Sequence, residues 1–179
     1  RDVSHLIQHL KLPTLKDNYT CVRGELVISK LNFNKLVDDE VLSHRAIPRN
    51  TVAGCVNAIK PDINIVKNIH FVAFELIQPR IIHDKQYDKL KELKFKHIVN
   101  QIQINKFSYT DLSEILNERK KFSAYDIDGI VVQDCSKIHD IPIDSNPPAA
   151  FAFKMLSNQI KATVKQIQWN ISKDSLAKP

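Results

Sequence analysis

Glycine is nearly absent from this chain: three occur in 179 residues, where average usage would give about 12. A fold keeps glycine where a side chain cannot be tolerated. Either φ is positive, or another backbone or a ligand must come close to Cα. The three positions therefore mark where the fold makes that demand. They are Gly24 in Val22-Arg23-Gly24-Glu25, Gly54 in Pro48-Arg49-Asn50-Thr51-Val52-Ala53-Gly54, and Gly129 in Asp126-Ile127-Asp128-Gly129-Ile130-Val131-Val132.

The length suggests about one domain, able to bury roughly 70% of its extended surface. With 43% hydrophobic and 26% charged residues, the composition is that of a globular protein and excludes a disordered chain. The net charge of +6 favours polyanionic partners such as nucleic acid without proving one. Cys21, Cys55 and Cys135 are odd in number and widely spaced, which builds neither a disulfide framework nor a zinc site. Seven scattered histidines form no HExxH. A reducing, intracellular and cytoplasmic setting fits this usage. Apolar runs such as Phe71-Val72-Ala73-Phe74 are far below the roughly 20 residues of a membrane span, and no signal-peptide layout opens the chain. It starts on Arg1 and ends on Lys178-Pro179, as an excised piece of a longer polypeptide would.

Residues 2–10 carry apolar positions at helical spacing, closed by a turn at Pro13. Residues 21–29 read as a strand, 34–39 as a short helix, and 50–59 as a helix entered from Pro48-Arg49. Residues 69–77 read as a strand with Phe71, Ala73 and Glu75 on one face and Val72, Phe74 and Leu76 on the other. Asp84 is placed to cap the helix carrying Tyr87, Leu90 and Leu93. Thr110 is placed to cap a helix with Leu112, Ile115 and Leu116 inward and Arg119-Lys120-Lys121 at its C-terminal end. Residues 97–104, 127–133, 149–155 and 162–169 complete the strands, with a turn over 145–148. Irregular alternation of this kind predicts an α+β domain of mostly antiparallel sheets with flanking helices.

Several side chains have chemical potential, each with a plainer alternative. Arg23 and Glu25 straddle Gly24: either a ligand approaches the backbone there, or the two are surface charges on an edge strand. Asp126 and Asp128, two apart on a strand, share one face: a metal or general-base position, or a turn into a core strand. Lys154 ends the apolar run Phe151-Ala152-Phe153. It meets an anion or points to solvent, because an unpaired buried ammonium costs several kcal/mol. Arg49 at a helix start suits a phosphate, or is an ordinary surface arginine.

Taken in order, VRGELVI, PRNTVAG, FVAFEL, YDIDGIVV, AFAFKM and TVKQIQW resemble the nucleotidyltransferase (adenylation) domain of NAD-dependent DNA ligases. The likeness runs from Asp2-Val3 to Trp169. It implies an ATP-grasp-like ligase fold over residues 1–160, truncated at its N-terminus, with 161–179 leading toward an OB-fold domain. It also implies NAD and Mg as cofactors, nicked duplex DNA as partner, no membrane, and further domains on both sides. Residue by residue, the resemblance assigns Glu25, with Arg23 beside it, to the adenylate pocket and Arg49 to phosphate. It assigns Phe74 to the adenine face, Asp128 to metal or the attacking group, and Lys154 to the α-phosphate.

Three departures from the family pattern stand out. No Lys-x-Asp-Gly occurs in the 179 residues, so the nucleophilic lysine is missing and no covalent lysyl-adenylate can form on this chain. The resemblance places that motif just upstream of Arg1. Gln133 stands where a phosphate-facing lysine is expected, keeping a hydrogen-bond donor but losing the charge. Asn57 replaces a second arginine. Part of a nick-sealing ligase is the function implied; a ligase-like module that binds nucleotide or nicked DNA without chemistry is the alternative.

Overall fold

The computed structural model describes residues 2–15, 19–140, 146–155, 161–173 and 175–179. Among these are five α-helices and three small sheets, an α+β arrangement as predicted. Strand β1 (Cys21–Ile28) pairs antiparallel with β2 (Ile69–Gln78), and β2 pairs in parallel with the two-residue β3 (His97–Ile98).

Cross-strand partners and alternate residues share a face of a sheet. Ile28, Ile69 and Ala73 thus lie on one face, at 4%, 3% and 0% exposure. A 3₁₀ helix (Ser4–His9), α1 (Lys30–Asp38), α2 (Pro48–Asn57) and α3 (Ile63–Val66) deliver Leu6, Leu36, Val52, Cys55 and Val66 into a core with Ile28 and Ile69. Each large apolar side chain so buried stabilises the fold by about 1.5–3 kcal/mol. The opposite face carries Arg23, Glu25, Val27, His70 and Val72; it is the more open one, with Glu25 exposed and the others half-buried.

The predicted regular alternation along β2 fails at two points, at Ile77 near its end and, with more consequence, at Phe74. Arg23 pairs with Glu75 and Gly24 with Ala73, so Phe74 is an extra residue on β2. Such a bulge shifts the alternation by one. Glu75 therefore joins Phe74 on the open face, and Leu76, fully buried, rejoins Ala73 on the core face.

Helix α4 (His83–Glu92) has Ile82 at its N-cap with no side-chain cap; Asp84 lies inside the first turn, not at the cap. Helix α5 (Tyr109–Phe122) is capped by Ser108, not Thr110. The Ser108 hydroxyl accepts from the Asp111 N–H at 3.2 Å, and the Asp111 carboxylate accepts from the Ser108 N–H at 2.7 Å, a reciprocal capping box. Arg119, Lys120 and Lys121 do occupy its last turn. Helix α1 starts four residues before the predicted start at 34, because the Ser29 side chain caps it.

Strand β4 (Gly129–Gln133) pairs antiparallel with β5 (Ala150–Lys154), and β6 (Asn170–Ile171) with β7 (Ala177–Lys178). Residues 99–104, predicted to extend β3, form no strand. Its apolar residues Val99, Ile102 and Ile104 are exposed, 39–54%, so burial does not hold the segment against β2. Residues 162–169 alternate suitably but form no strand either, and Val164, Ile167 and Trp169 are more than half exposed. A strand needs a partner for its backbone groups, and none pairs with this segment among the described residues. Of the predicted turn at 145–148, Ser145 falls outside the described residues.

No glycine takes a positive φ; Glu40, Lys94 and Ser175 do. Glu40 and Lys94 follow the C-caps of α1 and α4, a left-handed position where glycine is usual. Two of the glycines, Gly24 and Gly129, are retained for another reason, which the site makes plain.

Candidate active site

The β4–β5 hairpin presents one coherent face. Gly129 pairs with Lys154, Val131 with Ala152, and Gln133 with Ala150, so Lys154, Val131 and Gln133 point the same way. The other face turns Phe151 and Phe153 toward Phe107 and Tyr109, with ring centroids 6.2 and 5.4 Å apart. A Cβ added at Gly129 would come 2.7 Å from the Phe153 carbonyl oxygen and 2.8 Å from Lys154 Cγ. The lysine stem thus lies across the glycine, and Nζ donates to Asp128 Oδ2 at 2.8 Å. The hydrogen bond from Lys154 holds the Asp128 carboxyl below its usual range, and the charge of Arg49 adds to the effect. Asp128 and Lys154 are 71% and 57% exposed, so their pairing stabilises the fold little. It leaves a cation fixed at an open corner near Arg49.

The sequence places Asp126 and Asp128 on one strand face. The structure does not, because β4 begins at Gly129 and both residues lie in the entering turn. Asp126 faces Lys30 instead, with Nζ 3.7 Å away.

The open face of the first sheet forms the second wall. Glu25 lies opposite Val72 and is exposed, and Phe74 is 37% exposed at the bulge. Arg23 donates to Glu75 at 2.9 Å, with Glu75 only 8% exposed. A Cβ at Gly24 would meet the Phe71 ring and come 2.6 Å from the Val72 carbonyl oxygen. Gly24 and Gly129 are therefore close-approach glycines, whereas Gly54, inside α2, has nothing within 4 Å.

Glu75 and Gln133 line a small common cleft with His83, Gln86, Asp134 and His139. Sequence reasoning missed Glu75; a carboxylate inside the apolar run FVAFEL was the available signal. Gln133 stands four residues along β4 from Gly129, about 13 Å from the Lys154 end. The two cannot hold the same phosphate oxygen.

Three further side chains join the walls. His70 Nδ1 is 2.9 Å from Tyr125 Oη, Tyr125 Oη is 3.4 Å from His97 Nδ1, and the two imidazoles stack at 3.9 Å. Asn32 Nδ2 donates to the Asn68 carbonyl and faces His70 Nε2 at 3.2 Å. That carbonyl requires the amide nitrogen there, so His70 Nε2 accepts and its Nδ1–H donates to Tyr125. The Tyr125 hydroxyl then donates to His97 Nδ1. Burial pushes His70 down to about 4, and His97, Lys96 and Lys11 add to the effect; burial lowers His97 as well.

Unfolded His70 protonates near pH 6.5, so between 6.5 and 4 the unfolded chain binds more protons than the folded one. Stability is full above pH 6.5 and falls as pH drops toward 4. After discounting for partial exposure, the loss is on the order of 1–2 kcal/mol. Urea midpoints at pH 7 and 4.5 measure it. His70→Gln should flatten the slope, and an unchanged slope assigns the loss elsewhere.

Among the described residues, no three His, Cys, Asp or Glu side chains are grouped to hold a metal ion. Asp128 supplies one carboxylate at the Lys154 corner. That suits Mg²⁺ carried chiefly by substrate phosphates and water, not a protein cage.

The family description "NAD-dependent DNA ligase adenylation domain" matches residues 3–155. The chain belongs to that family. It is 34% identical to a DNA ligase of Acanthamoeba polyphaga mimivirus, over all of this chain and 28% of the relative. A putative DNA ligase of Invertebrate iridescent virus 3 is 29% identical over 97% of this chain and 23% of its own length. The DNA ligase of Lawsonia intracellularis is 26% identical over 100% and 28%. This adenylation-domain chain thus spans less than a third of these relatives. No helix among its described residues is long and apolar enough to cross a membrane.

Proposed function

We propose that this chain forms most of the adenylate pocket of an NAD-dependent DNA ligase that seals nicks in duplex DNA. The observation that carries the reading is the Lys154 stem laid over Gly129 to reach Asp128, near Arg49, on the face shared with Gln133. NAD is the substrate that donates AMP, first to a lysine, then to the 5′-phosphate of the nick. The 3′-hydroxyl finally attacks that phosphate and releases AMP.

Lys154 and Arg49 meet the phosphates, and Lys154 stabilises the charge that develops in transfer. Asp128 keeps Lys154 in place and, with substrate phosphates, holds Mg²⁺. Phe74 and Val131 offer apolar surface for the adenine ring. Gln133, at the far end of β4, serves the base end of the nucleotide, while Glu25 and Arg23 line the wall between. The nucleophilic lysine comes from outside these residues. Residues 1–160 act as the partial adenylation domain of nucleotidyltransferase fold, and 161–179 lead toward an OB fold. The basic surface meets duplex phosphates without reading sequence, which suits an enzyme accepting any nick. The reaction is placed inside the cell.

Gln133 and Asn57, neutral where the family resemblance expects cations, favour one second reading: a ligase-like module that binds nucleotide or nicked DNA without chemistry. One experiment separates the two. A polypeptide joining this chain to a preceding Lys-x-Asp-Gly segment and the flanking ligase domains is incubated with labelled NAD or labelled ATP. The proposal expects covalent AMP from NAD and little from ATP, with none on the 179 residues alone. AMP bound without any covalent transfer would favour the non-catalytic module.

A further inference from the structure

The residues assigned to the pocket stand on two separate sheets. Arg23, Glu25 and Phe74 belong to β1–β2, and Lys154 and Gln133 to β4–β5. The angle and gap between the sheets set the width of the space a nucleotide can enter. Neither sheet hydrogen-bonds to the other through its strands, so contacts outside the strands must fix that gap.

The segment leading into β4 is gripped from two sides. From the start of α1, just after β1, the Lys30 N–H donates to the Ala124 carbonyl at 2.8 Å, and Lys30 Nζ reaches the Ser123 carbonyl at 3.2 Å. From β2 and β3, His70 and His97 hold the Tyr125 hydroxyl. His70 lies two residues from Val72, and Val72 pairs with both Glu25 and His97. The imidazoles therefore share the open face with Glu25. Tyr125 stands three residues before Asp128 and four before Gly129, too close for its grip to be dissipated by intervening chain.

We propose that Tyr125, clasped by the stacked His70 and His97, is a positioning residue that sets the spacing of the two walls and so places Asp128 and Lys154 against the first sheet. The clasp has a direction: Asn32 fixes His70 as donor, His70 fixes Tyr125 as donor to His97, and no rotation of the hydroxyl satisfies both imidazoles otherwise. His97 Nε2 is left buried without a partner. That is the end the chain of donors leaves over when Nε2 carries the proton. Removing the hydroxyl takes away the grip from β2 and β3 and leaves only that of Lys30, while the ring still packs edge-on against His70, at 5.9 Å.

The inference rests on the adenylate-pocket reading for its consequence but not for its geometry, and its test has an arm for each. Tyr125→Phe and the unsubstituted chain are compared by AMP titration followed by NMR shifts, by hydrogen exchange along 124–133 and 150–154, and by thermal melting. The expected result is at least fivefold weaker AMP binding and at least tenfold faster exchange in those segments, with the exchange of α2 and the Ile28–Ile69 core unchanged. The pH profile adds a readout that simple packing would not move. Corrected for the intrinsic pH dependence of amide exchange, protection in 124–133 should fall below pH 5 in the unsubstituted chain, as the His pair protonates beside Lys11 and Lys96. It should not change further in Tyr125→Phe. Equal exchange in both proteins would overturn the clasp. Faster exchange with equal AMP affinity would keep the tether but overturn its positioning role. If the unsubstituted chain binds no AMP, the adenylate reading fails, and exchange alone decides the clasp. His97→Gln provides a second variant with the same expected signature should Tyr125→Phe unfold.

Discussion

Lys154→Ala is expected to lower the rate of nick sealing by about 10²–10³, the size of loss that follows removal of a donor aimed at developing transition-state charge. The measurement is single-turnover joining by a ligase that contains this chain, started from nicked, already adenylated DNA at saturation, so that the two AMP-transfer steps are bypassed. Folding should hardly change. The Lys154–Asp128 pair is more than half exposed on both sides, and exposed pairs contribute on the order of 0–1 kcal/mol. A large loss of rate beside a small shift in melting temperature is the signature of chemistry, not of scaffold. Lys154→Arg should recover part of the rate: it restores the charge, but its planar fork presents donors in a different geometry from a compact ammonium. A joining rate left intact by Lys154→Ala would mean that the phosphates do not lie on the Lys154 face of the hairpin.

The features readable in the sequence are those fixed within one segment. Alternation found β1 and β2, Pro48 announced α2, and the cationic run Arg119-Lys120-Lys121 marked the end of α5, because these signals act over a few neighbouring residues. The misses belong to pairs of segments. The bulge at Phe74 exists only because Gly24 and Arg23 pair with Ala73 and Glu75; nothing within FVAFEL alone shows where alternation slips. Residues 162–169 carry a strand's pattern but find no partner to complete it. One miss was local: the cap of α5 lay two residues before Thr110, at Ser108, where the hydroxyl and Asp111 satisfy each other.

Within the site, the resemblance named Lys154, Asp128 and Arg49, and the structure brings these three to one corner. Gln133 came out at the opposite end of the hairpin, since strand rise and not motif adjacency sets its distance from Lys154. His70, His97 and Tyr125 sit 27 and 28 residues apart in the chain, and no local pattern links them. Their contact is a product of the tertiary fold.

Gly129→Ala is the second substitution with a large expected effect, and it works through the backbone. The new Cβ would stand 2.7 Å from the Phe153 carbonyl oxygen, an atom of the paired strand that cannot swing aside, and 2.8 Å from Lys154 Cγ. Relief requires β4 and β5 to part at their first pair and the lysine stem to leave its bed. Overpacking of this kind costs about 1–3 kcal/mol, which in a chain of this size lowers the melting temperature by roughly 2–12 °C. Nick sealing should fall about as far as in Lys154→Ala. The double variant should be little worse than either single one, because both remove the same placement of Nζ. Gly54→Ala is the opposite case. It lies within α2 with open space around it, so alanine's better helix propensity should stabilise the fold by about 0.5–1 kcal/mol. Calorimetry and joining assays on the three variants test both signs together. Additive losses for Gly129→Ala and Lys154→Ala would show that the glycine serves the hairpin alone, without holding the lysine for chemistry.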